Sequence, residues 1–168
     1  DYAISDLDML VTSLASINDS AYYVGTNNGL YFCTDRIRRL LPAGADTLRK
    51  VSIKDLKWID SLLWIGTSDQ GIYVMQHDVV VKHLSTANNL ASDICQQLYY
   101  DGVGRLYVAT NRGVSVIDVK DQSITRNITS NDGLSSDDIR GVYADKDILY
   151  IATSNGLCYF NADHIPVD

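Results

Sequence analysis

Reactive side chains are few in this sequence, and their spacing argues against catalysis. His77, His83 and His164 are the only imidazoles in 168 residues and show no metal-ligand spacing. Cys33, Cys95 and Cys158 are odd in number, far apart and outside any Cys-x-x-Cys pair, so no zinc or thioredoxin signature exists. Each falls in an expected strand, where cysteine acts as a small apolar residue. Gly-x-Ser-x-Gly, phosphate-cradling glycine loops and the Ser-x-Asp-x-Gly-x-Thr-Trp box are all absent. Carboxylates are plentiful, and Asp137-Asp138 is the most suggestive pair. It recurs as Asp93, however, and a repeated Asp fits a turn or strand entry better than an acid–base pair, whose separation decides its chemistry. No catalytic residue, cofactor or metal is expected.

Four variants of one phrase dominate the chain: YVGTNNGLYF from Tyr23, WIGTSDQGIYV from Trp64, YVATNRGVSVI from Tyr107 and YIATSNGLCYF from Tyr150. The anchoring threonines Thr26, Thr67, Thr110 and Thr153 are spaced by 41, 43 and 43 residues, a period that signals a propeller or solenoid. Leucine-rich solenoids have shorter periods.

The aromatic and β-branched run before each Thr reads as a strand. Asn28-Gly29 and Asn155-Gly156 are hairpin signals, expected to place both residues at positive φ; Arg112-Gly113 is weaker, and Gln70-Gly71 closes a loop one residue longer. A second apolar strand follows each glycine. Another apolar segment precedes each phrase and ends near Asp19, Asp60, Asp101 or Asp145, and an outer segment follows, as at 79–84 and 123–128. Residues 52–59 compete as a helix but occupy an innermost-strand slot, so a strand is expected there. Four strands per repeat describe a blade. The chain is therefore expected to be an all-β propeller of four four-stranded antiparallel blades, with repeats at 8–48, 49–89, 90–132 and 133–168, and part of a larger ring. Because the last repeat lacks an outer strand and Pro166 disfavours one, residues 1–5 are expected to supply it, to their own chain or a partner.

In a propeller the turns between second and third strands share one rim with the connections entering each innermost strand. That places Asn28, Asp69, Gln70, Arg112 and Asn155 on the rim of Asp93 and Asp138, where amides, carboxylates and an arginine suit sugar hydroxyls. Turn formation explains the same residues without a ligand. Tyr23, Trp64, Tyr107 and Tyr150 hold equivalent positions, which points to packing between blades rather than sugar stacking. Tyr99, Tyr100 and Trp58 are ambiguous.

The stretch from Asn131 to Ile139, with Asp145, Leu149-Tyr150-Ile151-Ala152-Thr153 and Asn155-Gly156-Leu157, resembles the two-component regulator propeller repeat. Leu63-Trp64-Ile65-Gly66-Thr67 supplies its tryptophan form, and Asn88 to Ile94 matches its entry element. Departures are Tyr for Trp in three units, Ala for Gly at 109 and 152, and no entry element before the first two hairpins. The resemblance implies the periplasmic, non-catalytic, ligand-sensing part of a membrane-bound bacterial sensor. Many such sensors are hybrid histidine kinases governing polysaccharide use in gut Bacteroides, with two propellers, usually seven-bladed, before the membrane segment. An oligosaccharide ligand is the leading expectation. A scaffold for a protein partner comes second and a propeller glycosidase or lyase third.

Apolar residues at 46%, charged residues at 21% and no run of eighteen apolar residues suit one globular body that makes no membrane contact of its own. The sequence starts in mid-pattern and reads as an excised piece. A net charge of −7 excludes a phosphate backbone as partner, and the Arg36 to Arg39 cluster reads as a solvated outer strand. Four blades cut from a ring leave two apolar faces in water, so the piece is expected either to close alone as a four-bladed ring or, the preferred reading, to associate with another copy through the open blade edges.

Overall fold

A computed structural model describes residues 9–162, which form four antiparallel sheets. Blade I contains β1 (Val11–Asn18), β2 (Ala21–Thr26), β3 (Gly29–Cys33) and β4 (Ile37–Arg39). Blade II contains β5 (Ile53–Ile59), β6 (Leu62–Thr67), β7 (Ile72–Gln76) and β8 (Val79–Leu84). Blade III contains β9 (Cys95–Tyr100), β10 (Arg105–Thr110), β11 (Gly113–Asp118) and β12 (Ser123–Ile128). Blade IV has three strands among the described residues, β13 (Ile139–Asp145), β14 (Ile148–Thr153) and β15 (Gly156–Asn161). The source expected for its fourth strand, residues 1–5, lies outside the described residues, as do residues 163–168. Among the described residues helix is confined to single 3-10 turns such as Thr86–Asn88, and residues 53–59 are strand.

Each threonine hydroxyl performs the same two tasks. It donates to the carbonyl of the hairpin glycine, at 2.8 Å for Thr26, 2.8 Å for Thr67, 2.7 Å for Thr110 and 3.0 Å for Thr153. It also accepts the amide of Asn28, Gln70, Arg112 or Asn155 respectively. Thr suits this station because its β-branch favours the strand while its hydroxyl satisfies a turn sealed from water. The hairpins differ from the expected geometry. Only the glycines Gly29, Gly71, Gly113 and Gly156 have positive φ, at 96°, 73°, 118° and 126°, whereas Asn28 and Asn155 do not. A left-handed glycine thus closes each turn while the threonine hydroxyl clamps it, so that Asn need not adopt positive φ.

The glycine amides then tie neighbouring blades. Gly29 donates to the Val51 carbonyl, Gly71 to Asp93 and Gly113 to Asp137, in each case the segment leading into the next innermost strand. Blades stack in chain order, with β1 against β5, β5 against β9 and β9 against β13. Among the described residues no comparable packing joins β1 to β13, so the four blades make an open arc.

Three apolar clusters fill the three blade junctions. Tyr23, Leu30, Ile53, Leu56, Leu63 and Met75 join blades I and II. Trp64, Val74, Leu98 and Val108 join II and III, and Tyr107, Val116, Val142, Leu149 and Ile151 join III and IV. A fully buried side chain of this size contributes about 1.5–3 kcal/mol.

Thr67→Val keeps the shape of the strand but leaves the Gln70 amide unpaired and removes one of the two hydrogen bonds to the Gly71 carbonyl, which still accepts the Thr67 amide. The expected loss is about 1–3 kcal/mol, seen as a lower urea midpoint with an unchanged slope. An unchanged midpoint would contradict the clamp.

Candidate functional site

The rim that carries the threonine turns holds a cleft between blades I and II. It is lined by Asn27, Thr47, Lys50, Val51, Ser52, Ser68, Asp69 and Gln70, with a volume of ≈ 440 Å³. Its walls are fixed by backbone bonds, Gly29 to Val51 on one side and Ser68 to Ser52 on the other. Thr47 is tied through its hydroxyl to the Tyr73 hydroxyl at 2.8 Å, and the Gln70 carbonyl meets His83 Nε2 at 2.6 Å. The Lys50 ammonium, the Asp69 carboxylate and the amides of Asn27 and Gln70 complete the lining. This set offers donors and acceptors of both signs without a nucleophile paired to a base, and it suits a neutral polyol.

The structure brings together two of the expected rim residues, Asp69 and Gln70, and distributes the others. Asn28 passes its carbonyl to the Arg39 guanidinium at 3.4 Å. Arg112 sits in the turn of blade III, while the Asn155 amide reaches the Ser135 carbonyl at 3.3 Å. Asp93 uses both carboxylate oxygens on the backbone amide and hydroxyl of Thr86, at 2.8 and 3.4 Å. Asp137 does the same for Ser130, so Asp137, not Asp138, is the counterpart of Asp93. The apparent match of Asp93-Ile94 with Asp138-Ile139 fails because half-exposed Ile94 stands where Asp138 stands, and buried Cys95 takes the position of buried Ile139. Asp138 forms an ion pair with Arg140 at 2.9 Å.

Two functional side chains were missed in the sequence. Asp55 Oδ2 accepts the Leu98 amide of blade III at 2.9 Å, and Gln97 Oε1 accepts the Val142 amide of blade IV at 2.9 Å. Both occupy the same station, opposite Gly66 and Ala109, beside a register shift in the innermost strand. Each latches its blade to the next. The corresponding residue of blade I, Ser13, is too short, and its Oγ is buried without a partner. In blade IV the station is Gly141. The signal available was a polar residue 12 or 13 positions before Thr26, Thr67 and Thr110, with Gly141 in its place before Thr153.

Of the three cysteines, Cys33 and Cys158 are half-buried and Cys95 is buried. Burial pushes the Cys95 thiol up from 9.0 to about 12. Tyr23 is also raised, by burial first and by Asp78 second. Among the described residues no group of three metal-ligating side chains occurs, and no helix is long and apolar enough to cross a membrane.

No protein-family profile matches the chain, and no curated protein matches it. Solved structures do. The extracellular domain of a hybrid two-component system of B. thetaiotaomicron aligns with a TM-score of 0.74 and 17% identity, over 95% of this chain and 25% of that one. The extracellular domain of a one-component system of the same organism aligns with a TM-score of 0.71 and 21% identity, over 92% and 21%. BamB of Moraxella catarrhalis, a propeller-type structure, aligns with a TM-score of 0.66 and 15% identity, over 93% and 51%. At these identities the likeness establishes the fold, an all-β propeller arc. The chain spans about a quarter or less of the two sensor domains.

The Cys95 shift has a defined sign. The thiol ionises near 9 when unfolded and near 12 when folded, so this term is constant below pH 9 and stability falls between pH 9 and 12. Cys95→Ala is expected to make that alkaline decline shallower, whatever its cost at neutral pH, with Tyr23 sustaining the remainder. An equally steep decline in urea titrations at pH 8 to 11 would contradict the assignment.

Proposed function

We propose that this chain is a non-catalytic, ligand-sensing propeller segment from the extracytoplasmic part of a bacterial two-component sensor, and that its ligand is an oligosaccharide. The observation that carries the proposal is the arc itself, which aligns over 92% and 95% of the chain with the sensor extracellular domains. The resemblance to the two-component regulator repeat from Asn131 to Leu157 supports the same family of proteins by an independent route. Under this reading the parent is a membrane-anchored histidine kinase, and the segment acts in the periplasm by changing shape or contacts when its rim is occupied.

The cleft of Asn27, Lys50, Asp69 and Gln70 is the ligand site we favour. Its backbone walls are held by hydrogen bonds before any ligand arrives, which lowers the entropy cost of binding. Lys50 and Asp69 together favour a neutral or weakly acidic glycan, because either charge can hydrogen-bond a hydroxyl with charge assistance. Net charge of −7 disfavours strongly acidic polymers.

A glycan array with the chain, followed by calorimetry on the best binder, tests the proposal. Lys50→Ala and Asp69→Asn should each weaken binding roughly tenfold or more, the loss of one charge-assisted hydrogen bond. Absence of any glycan binding, or binding unaffected by both variants, would reject the rim cleft as a sugar site.

A further inference from the structure

One station recurs in every blade, two residues after the hairpin glycine. Tyr31, Tyr73, Ser115 and Cys158 occupy it on β3, β7, β11 and β15. Register sets an outer-strand residue directly opposite three of them: Arg39 faces Tyr31, His83 faces Tyr73 and Asn127 faces Ser115. In blades III and IV short side chains at this station hold the entry loop against the sheet. Ser115 Oγ accepts the Ala91 amide at 2.9 Å while Asn127 Nδ2 donates to the Asn89 carbonyl at 2.8 Å, on either side of buried Leu90. Cys158 Sγ accepts the Ser135 amide at 3.3 Å, beside buried Leu134.

Blade II departs from this pattern at the rim cleft. Tyr73, 4% exposed, bonds through its hydroxyl to the side chain of Thr47, which precedes buried Leu48 as Asn89 precedes Leu90. The His83 ring lies parallel to the Tyr73 ring, at 4.1 Å between centroids and 4° between planes. Its Nε2 meets the Gln70 carbonyl at 2.6 Å, and since a carbonyl only accepts, Nε2 carries the proton. One pair of rings therefore bonds to both sides of the cleft, to Thr47 on the entry loop and to Gln70 on the hairpin turn. A phenol hydroxyl stands a ring's length further from the backbone than a serine hydroxyl, so Thr47 is held further from the third strand than Ala91 is.

We propose that Tyr73, braced by His83, is the spacer that sets the width of the cleft, and that the two are positioning residues rather than ligand contacts. This role deepens the reading of the cleft as the ligand site and rests on it. Parallel rings at this separation attract and restrain one another, and a directly opposed cross-strand pair keeps them in register. The phenol is a stronger acid than an aliphatic hydroxyl, so Tyr73 donates to Thr47. The Thr47 proton is then free to donate to a ligand oxygen, such as a hydroxyl or ring ether of a sugar. The spacer thereby selects a ligand that brings an acceptor oxygen to the entry loop.

Hydrogen exchange and a glycan array on the full 168-residue chain test the spacer, with Tyr73→Phe, Thr47→Val, their double variant, Thr47→Ser and His83→Ala. Tyr73→Phe keeps the buried ring and removes only the hydroxyl, while Thr47 and His83 are exposed, so every variant should keep the parent's circular dichroism. Without ligand, the amides of Leu48 and Lys50, both bonded within the entry loop, should exchange roughly five- to tenfold faster in Tyr73→Phe, in Thr47→Val and in the double variant alike. The three lose the same bond. Thr47→Ser keeps it and should match the parent, His83→Ala should speed exchange of the Gln70 amide by a like factor, and β6 should be unchanged throughout. Any glycan the parent binds should bind Tyr73→Phe and His83→Ala roughly five- to tenfold more weakly and Thr47→Ser as well as the parent. Parent-like loop exchange in Tyr73→Phe, an additive double variant, or glycan binding unchanged in both Tyr73→Phe and His83→Ala would overturn the spacer. Loop exchange that responds as expected while the parent binds no glycan would uphold the spacer and reject only the sugar site.

Discussion

The fold depends on one constraint: a blade sheet with apolar side chains on both faces is stable only when another sheet covers each of them. Blades II and III meet that condition within the chain, through Trp64 and Val74 on one face and Leu56 and Tyr73 on the other for blade II. The glycine-to-carbonyl bonds from each hairpin to the next entry segment fix the angle between neighbours. Burial supplies the energy, and those bonds supply the geometry. The polar latches at Asp55 and Gln97 then make adjacent innermost strands share a backbone amide, which discourages sliding of one blade over another.

A second layer of order lies on the rim. The threonine hydroxyl, the left-handed glycine and the aspartate clamp of the entry loop recur because each satisfies backbone groups that the strands cannot pair. The entry loops into blades III and IV repeat nearly atom for atom, with capping boxes at Ser85–Asn88 and Thr129–Asp132. The entry into blade II is built differently, from Asp46–Arg49 with no side-chain cap. That irregular loop supplies Thr47 and Lys50 to the rim cleft. The place where the repeat breaks is the place where a distinctive surface forms, as expected when turn residues are released from a common structural duty.

Much of the fold was legible because the repeat writes the same physics four times. The threonine spacing located the hairpins, and the equivalence of Tyr23, Trp64, Tyr107 and Tyr150 identified the blade-facing side. The φ values at Asn28 and Asn155 were misread because a short Asn-Gly signal fits two turn types, and only the buried hydroxyl beside it selects between them. Asp55 and Gln97 were overlooked because the partner of each lies on another blade more than forty residues away. The rim cleft was half visible: Asp69 and Gln70 follow from the hairpin pattern. Lys50 does not, since it comes from an entry loop that lacks the repeat motif.

Hydrogen exchange measured at several protein concentrations tests the two-face requirement most directly. Amides of β6 and β10 should be the slowest at every concentration, because both faces of their blades are covered within one chain. Amides of β14 should exchange faster, because Tyr143, Leu157 and Tyr159 leave one face of its blade exposed. Equal protection of β14 and β6 would contradict the account, because a blade with one bare apolar face would then be as stable as one with two neighbours.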